Sequence, residues 1–370
     1  MTIKNTGNHS ALNLISLIAV VFILYVLKPF IVPLLFAVIL SVMVFPLQSF
    51  LENKWRFNRL FATITSVITL LVLTALVFFL ISVQFANFMG NSADYSQKLS
   101  ELFHASVNSL EDTLHIRNNQ LFSQKEFQME NIIKDNLDKI VMVLSESTSF
   151  LSNLILVPIC LFFFLYYRKF FRTFIYKLYK TKSKSFLNAI LKKIYLVQQN
   201  YLVGLLIVIV IVGFLNSIGL LVLGIGNPFF FGFLAALLLL IPYIGIAIGS
   251  LLPALIALAT KDSPWYAVGV IGVFAFIQFL EGNFITPKIT GSKVSVNAFV
   301  VIISLILFSM LWGIAGMILA LPITATLKII FDNTPGYEAY GFLIGEPVDK
   351  HFQTRARLRL KKWKNIRNAK

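Results

Sequence analysis

The chain has 370 residues, of which 58% are hydrophobic and 13% are charged, and its formal net charge is +16. Soluble domains are about a quarter charged, so this composition argues against a water-soluble globular protein and indicates an integral membrane protein. The one cysteine, Cys160, cannot form an intrachain disulfide, and the four scattered histidines lack metal-ligand spacing. We therefore predict no metal site and no cofactor.

Long, continuous apolar runs predict that the membrane spans are helices. Backbone groups in a bilayer must be satisfied inside the protein, which allows only helices or closed barrels. Barrel strands would show about ten alternating residues each, whereas runs such as 14–27 and 300–308 are continuous. We predict an all-α polytopic membrane protein with about eight transmembrane helices. The first run passes into a second one at Lys28, which favours a retained span over a cleaved signal peptide.

The candidate spans follow one another along the chain. Hydropathy places them at 11–27, 29–51, 60–90, 146–167, 200–223, 228–260, 264–281 and 297–331. The chain is then predicted to fall into six parts. These are three spans in 1–90, an external amphipathic helical segment in 91–146, a fourth span in 147–167, a basic cytoplasmic or interfacial segment in 168–199, a transporter core in 200–335 and a basic cytoplasmic tail in 336–370.

The distribution of charge predicts the orientation. Residues 168–193 and residues 350–370 each contain nine Lys or Arg and no acid, whereas residues 94–146 contain five bases and nine acids. Basic residues close to spans are retained in the cytoplasm. The first two segments are therefore predicted to be cytoplasmic and the third external. With eight spans, both termini then face the cytoplasm.

The external segment shows two amphipathic helical patterns. Apolar residues fall on one face of 99–114 and on one face of 133–144, and Ser123 with Glu126 matches a capping box. We interpret these helices as a lid over the span ends. The alternative is a domain that binds an external ligand.

The basic segment has a pattern of its own. An apolar stripe in 187–195 lies beside Lys192 and Lys193, which suits a helix at the membrane surface. The bases adjoin predicted spans, where topology and anionic lipids account for them. We therefore predict contact with the lipid bilayer, including anionic lipids, and no binding of nucleic acid.

One candidate span is interrupted. Residues 228–260 are too long for one straight span and contain Pro242, Gly245, Gly249 and Pro253. A proline removes a helical hydrogen bond, and irregular backbone at membrane depth is tolerated only where protein or a wet cavity covers it. We predict either one broken helix or a re-entrant hairpin, which would act as a moving gate.

The segment QFLEGNFITPKITG, residues 278–291, carries polar groups between two apolar stretches. On a helix, Gln278 and Glu281 share a face, and a charge at membrane depth normally faces protein or water. Gly282 and Pro287 are expected to unwind the chain, as in the broken helices of many transporters. The alternative is that Glu281 ends a span at the interface. The candidate residues for the transport path are Gln278, Glu281, Asn283 and Lys288.

Three motifs in the C-terminal half resemble a known family. They are I-P-x-I-G ending at Gly245, Q-x-x-E-x-N-x-I-x-P-K beginning at Gln278, and G-x-x-G-x-x-x-A-x-P, at Gly313, Gly316, Ala320 and Pro322. In order and spacing they resemble the autoinducer-2 exporter (AI-2E) family of bacterial membrane proteins. One departure is Ala247, where relatives often have proline.

The resemblance implies an eight-span permease of the bacterial inner membrane. Members of the family are linked to export of the signal autoinducer-2, and others to sodium/proton exchange. Gly313, Gly316 and Pro322 match a family motif. The candidates for gates or kinks are therefore Pro242, Gly245, Gly249, Pro253, Gly282, Pro287, Gly313, Gly316 and Pro322.

These observations predict a secondary transporter and not an enzyme. The sequence has no G-x-x-x-x-G-K-[ST], H-E-x-x-H or G-x-S-x-G motif. The predicted cargo is a small polar molecule such as an autoinducer-2-like signal, moved outward. One alternative is a cation/proton antiporter with Glu281 as the proton carrier. Another is a non-transporting scaffold that docks a partner through 94–146, and a homo-oligomer is left open.

Overall fold

A computed structural model describes residues 6–90, 95, 97–98, 101, 148–240, 244–290 and 296–346. These residues are largely helical and contain no β-strand. The helices are α1 (Thr6–Val26), α2 (Lys28–Asn53), α3 (Arg59–Gly90), α4 (Thr148–Tyr166), α5 (Arg168–Leu178), α6 (Lys184–Val222), α7 (Pro228–Leu238), α8 (Ile244–Thr260), α9 (Trp265–Leu280), a π-helix (Glu281–Ile285), α10 (Thr286–Thr290), α11 (Ala298–Trp312), α12 (Ile314–Asp332) and α13 (Glu338–Ile344).

The length and surface of these helices suit a bilayer. Five helices are long and apolar enough to cross a membrane, and shorter apolar helices accompany them; the five are Lys28–Asn53, Arg59–Gly90, Lys184–Val222, Trp265–Ile289 and Ile314–Asp332. Large apolar side chains such as Phe78 and Phe79 are exposed, which lipid accommodates and water does not. The prediction of an all-α polytopic membrane protein is confirmed.

The chain forms two compact units. The first combines Met1–Lys180 with Gln199–Gly291, and the second combines Thr181–Gln198 with Ser292–Lys370. In the first unit, α2 packs against α3 and α4 around a small apolar core of Ala37, Val44, Val67, Leu161 and Leu165.

A polar cluster lies at the C-terminal end of α2. Buried Gln48 donates from Nε2 to Thr63 Oγ1 at 2.7 Å and to Glu52 Oε1 at 3.1 Å. Glu52 also accepts two hydrogen bonds from the guanidinium of Arg168, the first residue of α5, one of them at 3.0 Å. This ion pair ties the start of α5 to the end of α2.

Helix α6 joins two segments that the sequence analysis separated. It runs without interruption through 39 residues, which is about 58 Å and nearly twice the hydrocarbon thickness of a bilayer. The stripe at 187–195 is therefore the first part of α6 and not a separate surface helix, and Leu187 is buried. No proline or glycine lies between Lys184 and Val203, so nothing stops the helix there.

Residues 228–260 form two helices and not one kinked span. Helix α7 has 11 residues, or about 16 Å, which is too short to cross a bilayer. Helix α8 packs back along it, so that Gly245 meets Leu238 and Gly249 meets Ala235. This antiparallel order identifies a helical hairpin and not one broken helix, and its re-entrant position in the membrane stays a prediction.

The second unit contains another hairpin, α11 with α12. The sequence predicted a single span over 297–331, but the chain reverses at Gly313, whose φ is 65° and ψ is −142°. Glycine adopts such a conformation at little cost. A Cβ on Gly316 would lie 1.8 Å from the carbonyl oxygen of Phe308, so the two helices approach as closely as backbone allows.

The start of the predicted tail is folded into the second unit. Helix α13 contacts α12, and the side-chain amide of Asn297 donates to the carbonyl oxygens of Leu343 at 2.7 Å and Gly345 at 3.0 Å. The same residue caps α11 by accepting from Val300 N at 2.9 Å. Asn297 therefore joins α11 to the C-terminal end of α13 and to Gly345.

Three parts of the predictions lie outside the described residues. Most of the external segment falls in 102–147, the remaining basic tail falls in 347–370, and Pro242 falls in 241–243.

Candidate functional site

The end of α9 passes through a π-helix into α10. The amide N–H of Thr286 bonds to the carbonyl oxygen of Glu281, five residues earlier. Pro287 has no N–H to donate, and its ring disfavours a regular α-turn before it. The backbone thus stays helical from Trp265 to Thr290, and the predicted unwinding at Gly282 is wrong. Single π-turns inside helices are frequent at functional sites.

Glu281 is the centre of a hydrogen-bonded cluster. Its Oε2 accepts from Gln278 Nε2 at 2.6 Å, and its Oε1 accepts from the hydroxyl of Thr286. Glu281, Gln278 and Thr286 are all half-buried. The π-turn makes this arrangement possible, because one extra residue per turn brings Thr286 back over Glu281. Both oxygens of the carboxylate are therefore held by neutral donors.

A small cavity lies next to this cluster, between α6, α7, α8 and α9. Its lining residues are Val212, Asn216, Ala235, Leu239, Gly245, Phe274, Ile277 and Gln278. Most of the lining is apolar, and the polar groups come from Asn216 and Gln278. Gln278 is thus shared between the cavity and the Glu281 cluster.

Asn216 carries an unsatisfied polar atom at this cavity. The residue is 3% exposed, and its Oδ1 has no hydrogen-bond partner among the described residues. Buried polar groups are nearly always hydrogen-bonded, and one left without a partner costs about 1–3 kcal/mol. Such an atom beside a cavity is available to a polar ligand.

The other predicted path residues lie elsewhere. Asn283 is exposed, and its side-chain amide donates to the carbonyl oxygen of Phe279 at 2.9 Å, so it supports its own helix. Lys288 is exposed on α10. Neither residue lines the cavity. The structure thus groups Gln278 with Glu281 and leaves Asn283 and Lys288 outside.

Gly245 and Gly249, two of the predicted gate glycines of the first unit, act in packing, whereas a Cβ on Gly282 would meet nothing within 4 Å. A Cβ on Gly245 would lie 2.2 Å from Leu238 O, and a Cβ on Gly249 would lie 2.6 Å from Ala235 Cβ. Small residues four apart let membrane helices approach closely. Gly245 also forms part of the cavity wall. Pro253 is buried inside α8, which continues through it.

The remaining gate candidates belong to the second unit. Gly313 and Gly316 form the turn and the close contact of the α11–α12 hairpin described above. Pro322 is buried in α12, and its carbonyl oxygen accepts from Gln198 Nε2 at 2.6 Å. Gln198 also donates to Thr326 Oγ1 at 2.7 Å. This buried bond fixes the first part of α6 to α12.

Asn216 and Thr286 are not among the residues predicted from the sequence. Asn216 and Ser217 are polar residues in the otherwise apolar run 202–223, and a polar residue inside a span is itself a functional signal. Thr286 gives no such signal, since its approach to Glu281 depends on the π-turn.

The chain matches the model of the AI-2E family transporter over residues 14–336. The chain belongs to the AI-2E transporter family. Over 342 residues it is 25% identical to YhhT of Escherichia coli K12, an inferred transport protein, with 92% of this chain and 95% of YhhT covered.

Other relatives match over shorter stretches. YrrI of Bacillus subtilis 168, also an inferred transport protein, is 37% identical over 131 residues, which is 35% of this chain and 36% of YrrI. TqsA of Escherichia coli K12, named an AI-2 transport protein, is 29% identical over 147 residues, which is 40% of this chain and 42% of TqsA. The match to YrrI thus spans about a third of that relative's length. Membership of the AI-2E family identifies a multi-pass membrane protein that acts in transport.

Proposed function

We propose that this AI-2E family member is a secondary transporter of the bacterial inner membrane that exports a small polar molecule of the autoinducer-2 type. The observation that carries the proposal is Asn216 Oδ1, which is buried, has no partner among the described residues and lies at a cavity. Once the cavity, which here has room for about one water, has widened, a substrate hydroxyl would donate to this oxygen. The amide of Gln278, on the opposite helix, would supply the second polar contact.

The Glu281 cluster would couple transport to an ion gradient. An ionised carboxylate only accepts hydrogen bonds, which matches the donors Gln278 and Thr286. When the carboxyl takes up a proton, one oxygen becomes a donor and that contact must rearrange. The amide of Gln278 would then turn its oxygen to Glu281. Because Gln278 lines the cavity, protonation would change the donors and acceptors offered to the substrate.

The α7–α8 hairpin would serve as the moving element. Gly245 contributes to the cavity wall, and the neighbouring backbone of Leu238 is in direct contact with it. A shift of the hairpin would therefore widen or close the cavity. Short helices packed through glycines can slide without passing bulky side chains over one another.

The second candidate is a cation/proton antiporter. It is favoured by the same carboxylate, because Glu281 can hold either a proton or a monovalent cation. The two proposals differ in cargo and not in the residues involved. The scaffold alternative assigns the function to 94–146 and predicts no flux.

The test is transport by the purified protein in liposomes under an imposed pH gradient. Autoinducer-2 and sodium are supplied in separate assays, and Glu281→Gln is compared with Asn283→Ala, which alters an exposed polar residue of the same motif. We expect gradient-driven flux of the signal that Glu281→Gln abolishes and Asn283→Ala retains. Sodium flux without signal flux would establish the antiporter. Absence of flux for both would overturn the transport proposal.

Orientation and surroundings belong to the same proposal. Both termini would face the cytoplasm, because the basic segments 168–193 and 350–370 are retained there. Anionic lipids would contact these segments. A homo-oligomer is compatible with the many exposed apolar side chains.

A further inference from the structure

Helix α5 is amphipathic and has no buried residue. Its 11 residues divide into two faces when they are placed at about 100° intervals. The apolar face contains Phe170, Phe171, Phe174, Ile175 and Leu178. The polar face contains Arg168, Lys169, Arg172, Thr173, Tyr176 and Lys177. The separation is complete, so the helix must lie between an apolar and a polar medium.

The apolar face of α5 is open. Phe170, Phe174 and Leu178 follow one another along the helix and are 67%, 56% and 61% exposed. Only the edge of the face is covered in the described structure, where Phe171 packs on Phe164 of α4 at a centroid distance of 5.3 Å. A row of exposed aromatic side chains of this kind marks a contact surface.

The charge of α5 has one sign. The helix carries four bases and no acid, and Lys180, Lys182 and Lys184 follow it directly. All four bases lie on the polar face, with Lys177 at its edge beside Phe170. This pattern complements a surface that presents phosphates above hydrocarbon, and it offers nothing to a basic or mixed-charge protein surface.

The position of α5 is fixed at the end of candidate spans. Only Tyr167 separates it from the apolar helix α4. The guanidinium of Arg168 pairs with Glu52 and lies 5.1 Å from the ring centroid of Phe45, both on α2. The first turn of α5 is therefore held where α2 and α4 leave the apolar region.

We propose that α5 is a lipid-binding interfacial helix. Phe170, Phe174 and Leu178 lie among the upper acyl chains, and Lys169, Arg172 and Lys177 bind the phosphates of anionic lipids. Basic amphipathic helices with aromatic faces bind membranes through this combination of apolar burial and electrostatic attraction. The proposal does not depend on the transported substrate.

The depth of α5 in the bilayer is tested with a fluorescent probe in a Cys160→Ala background. Phe174→Cys and its neighbour on the opposite face, Thr173→Cys, are each labelled with an environment-sensitive dye in phosphatidylcholine/phosphatidylglycerol vesicles. We expect quenching by spin-labelled acyl chains at position 174 and by aqueous iodide at position 173. Iodide quenching at position 174 would overturn the proposal. Shielding of position 174 from both quenchers would indicate a protein contact and would also overturn it.

The role of the basic residues of α5 is tested by measuring how many anionic lipids stay bound to the protein. Lys169, Arg172 and Lys177 are changed together to Gln, and the control changes Lys180, Lys182 and Lys184 to Gln, which removes the same charge outside α5. Native mass spectrometry counts the phosphatidylglycerol molecules that remain bound. Retention should weaken about fivefold for each charge removed from α5, and less for each charge removed in the control. Equal losses in both variants would show a diffuse basic region and would overturn the assignment to α5.

Discussion

Gln278 donates a hydrogen bond to Glu281 over 2.6 Å, and the same side chain lines the cavity that contains Asn216. One amide therefore connects the ionisable group of the π-helix to the buried polar atom of α6. If a substrate binds in the cavity, Gln278 is the residue that can contact both Glu281 and the substrate. A change at one of them then alters the hydrogen bonds that Gln278 offers to the other. The first two predictions follow from this relationship.

Glu281→Gln should reduce gradient-coupled flux to background, because the amide keeps the shape but cannot take up a proton. Gln278→Ala should reduce flux by about tenfold, the equivalent of the ~1.5 kcal/mol that a hydrogen bond to a charged group contributes. Initial rates in liposomes measure both effects. Wild-type flux that still responds to pH in well-folded Glu281→Gln would exclude the proton-carrier role.

Asn216→Leu should separate function from stability. The change removes a buried oxygen without a described partner and keeps the approximate volume of the side chain. We expect the free energy of unfolding to be maintained or raised by up to ~1 kcal/mol, while substrate flux is lost. Thermal unfolding in detergent and liposome flux measure the two quantities. Normal flux in this variant would remove Asn216 from the path.

Alanine substitutions at glycines should test the close packing of α7 against α8. They destabilise the protein where a Cβ meets the neighbouring helix and stabilise it where a Cβ meets nothing. Gly245→Ala and Gly249→Ala place a methyl group against Leu238 O or Ala235 Cβ, at a cost of about 1–3 kcal/mol. The control is Gly272→Ala in α9, where a Cβ meets nothing within 4 Å. That variant should be stabilised by about 0.5–1 kcal/mol. A similar thermal shift in all three variants would contradict the tight hairpin.

The Glu52–Arg168 pair should stabilise the junction of α2 and α5. Its side chains are 18% and 26% exposed, and the guanidinium of Arg59 lies close by, 5.6 Å from the ring centroid of Tyr166. Glu52→Gln would leave the guanidinium of Arg168 without a carboxylate, at a cost of about 1–3 kcal/mol.

The matched control for this variant is Lys54→Gln, which alters an exposed charge two residues further on. Thermal unfolding measures both. If the two variants shift the midpoint equally, the ion pair contributes nothing specific to stability.

The orientation can be read from thiol labelling. In a Cys160→Ala background, Lys182→Cys should react with a membrane-impermeant reagent only after the cells are permeabilised. Glu111→Cys should react in intact cells. The reason is the retention of basic segments in the cytoplasm. Labelling of position 182 in intact cells would invert the topology.

The class of the protein and the location of its polar motif could be predicted from composition and local patterns. Composition and continuous apolar runs are sufficient for a helical membrane protein, because a bilayer permits few other structures. The pairing of Gln278 with Glu281 was also predictable, since residues three apart meet on any helix. The family motifs around these residues added the transport class.

The positions where the chain reverses and the polar groups that meet could not be predicted, because both depend on tertiary packing. Hydropathy measures apolar content over a window and is blind to the positive φ of Gly313 and to the backbone contacts of Gly245 and Gly249. Asn216 and Gln278 are 62 positions apart, and their meeting at one cavity depends on how α6, α7, α8 and α9 pack. A helix forms through hydrogen bonds between residues close in the sequence, so a short stretch of sequence is enough to predict it. The cavity forms where side chains from distant parts of the sequence pack together, so no short stretch predicts it.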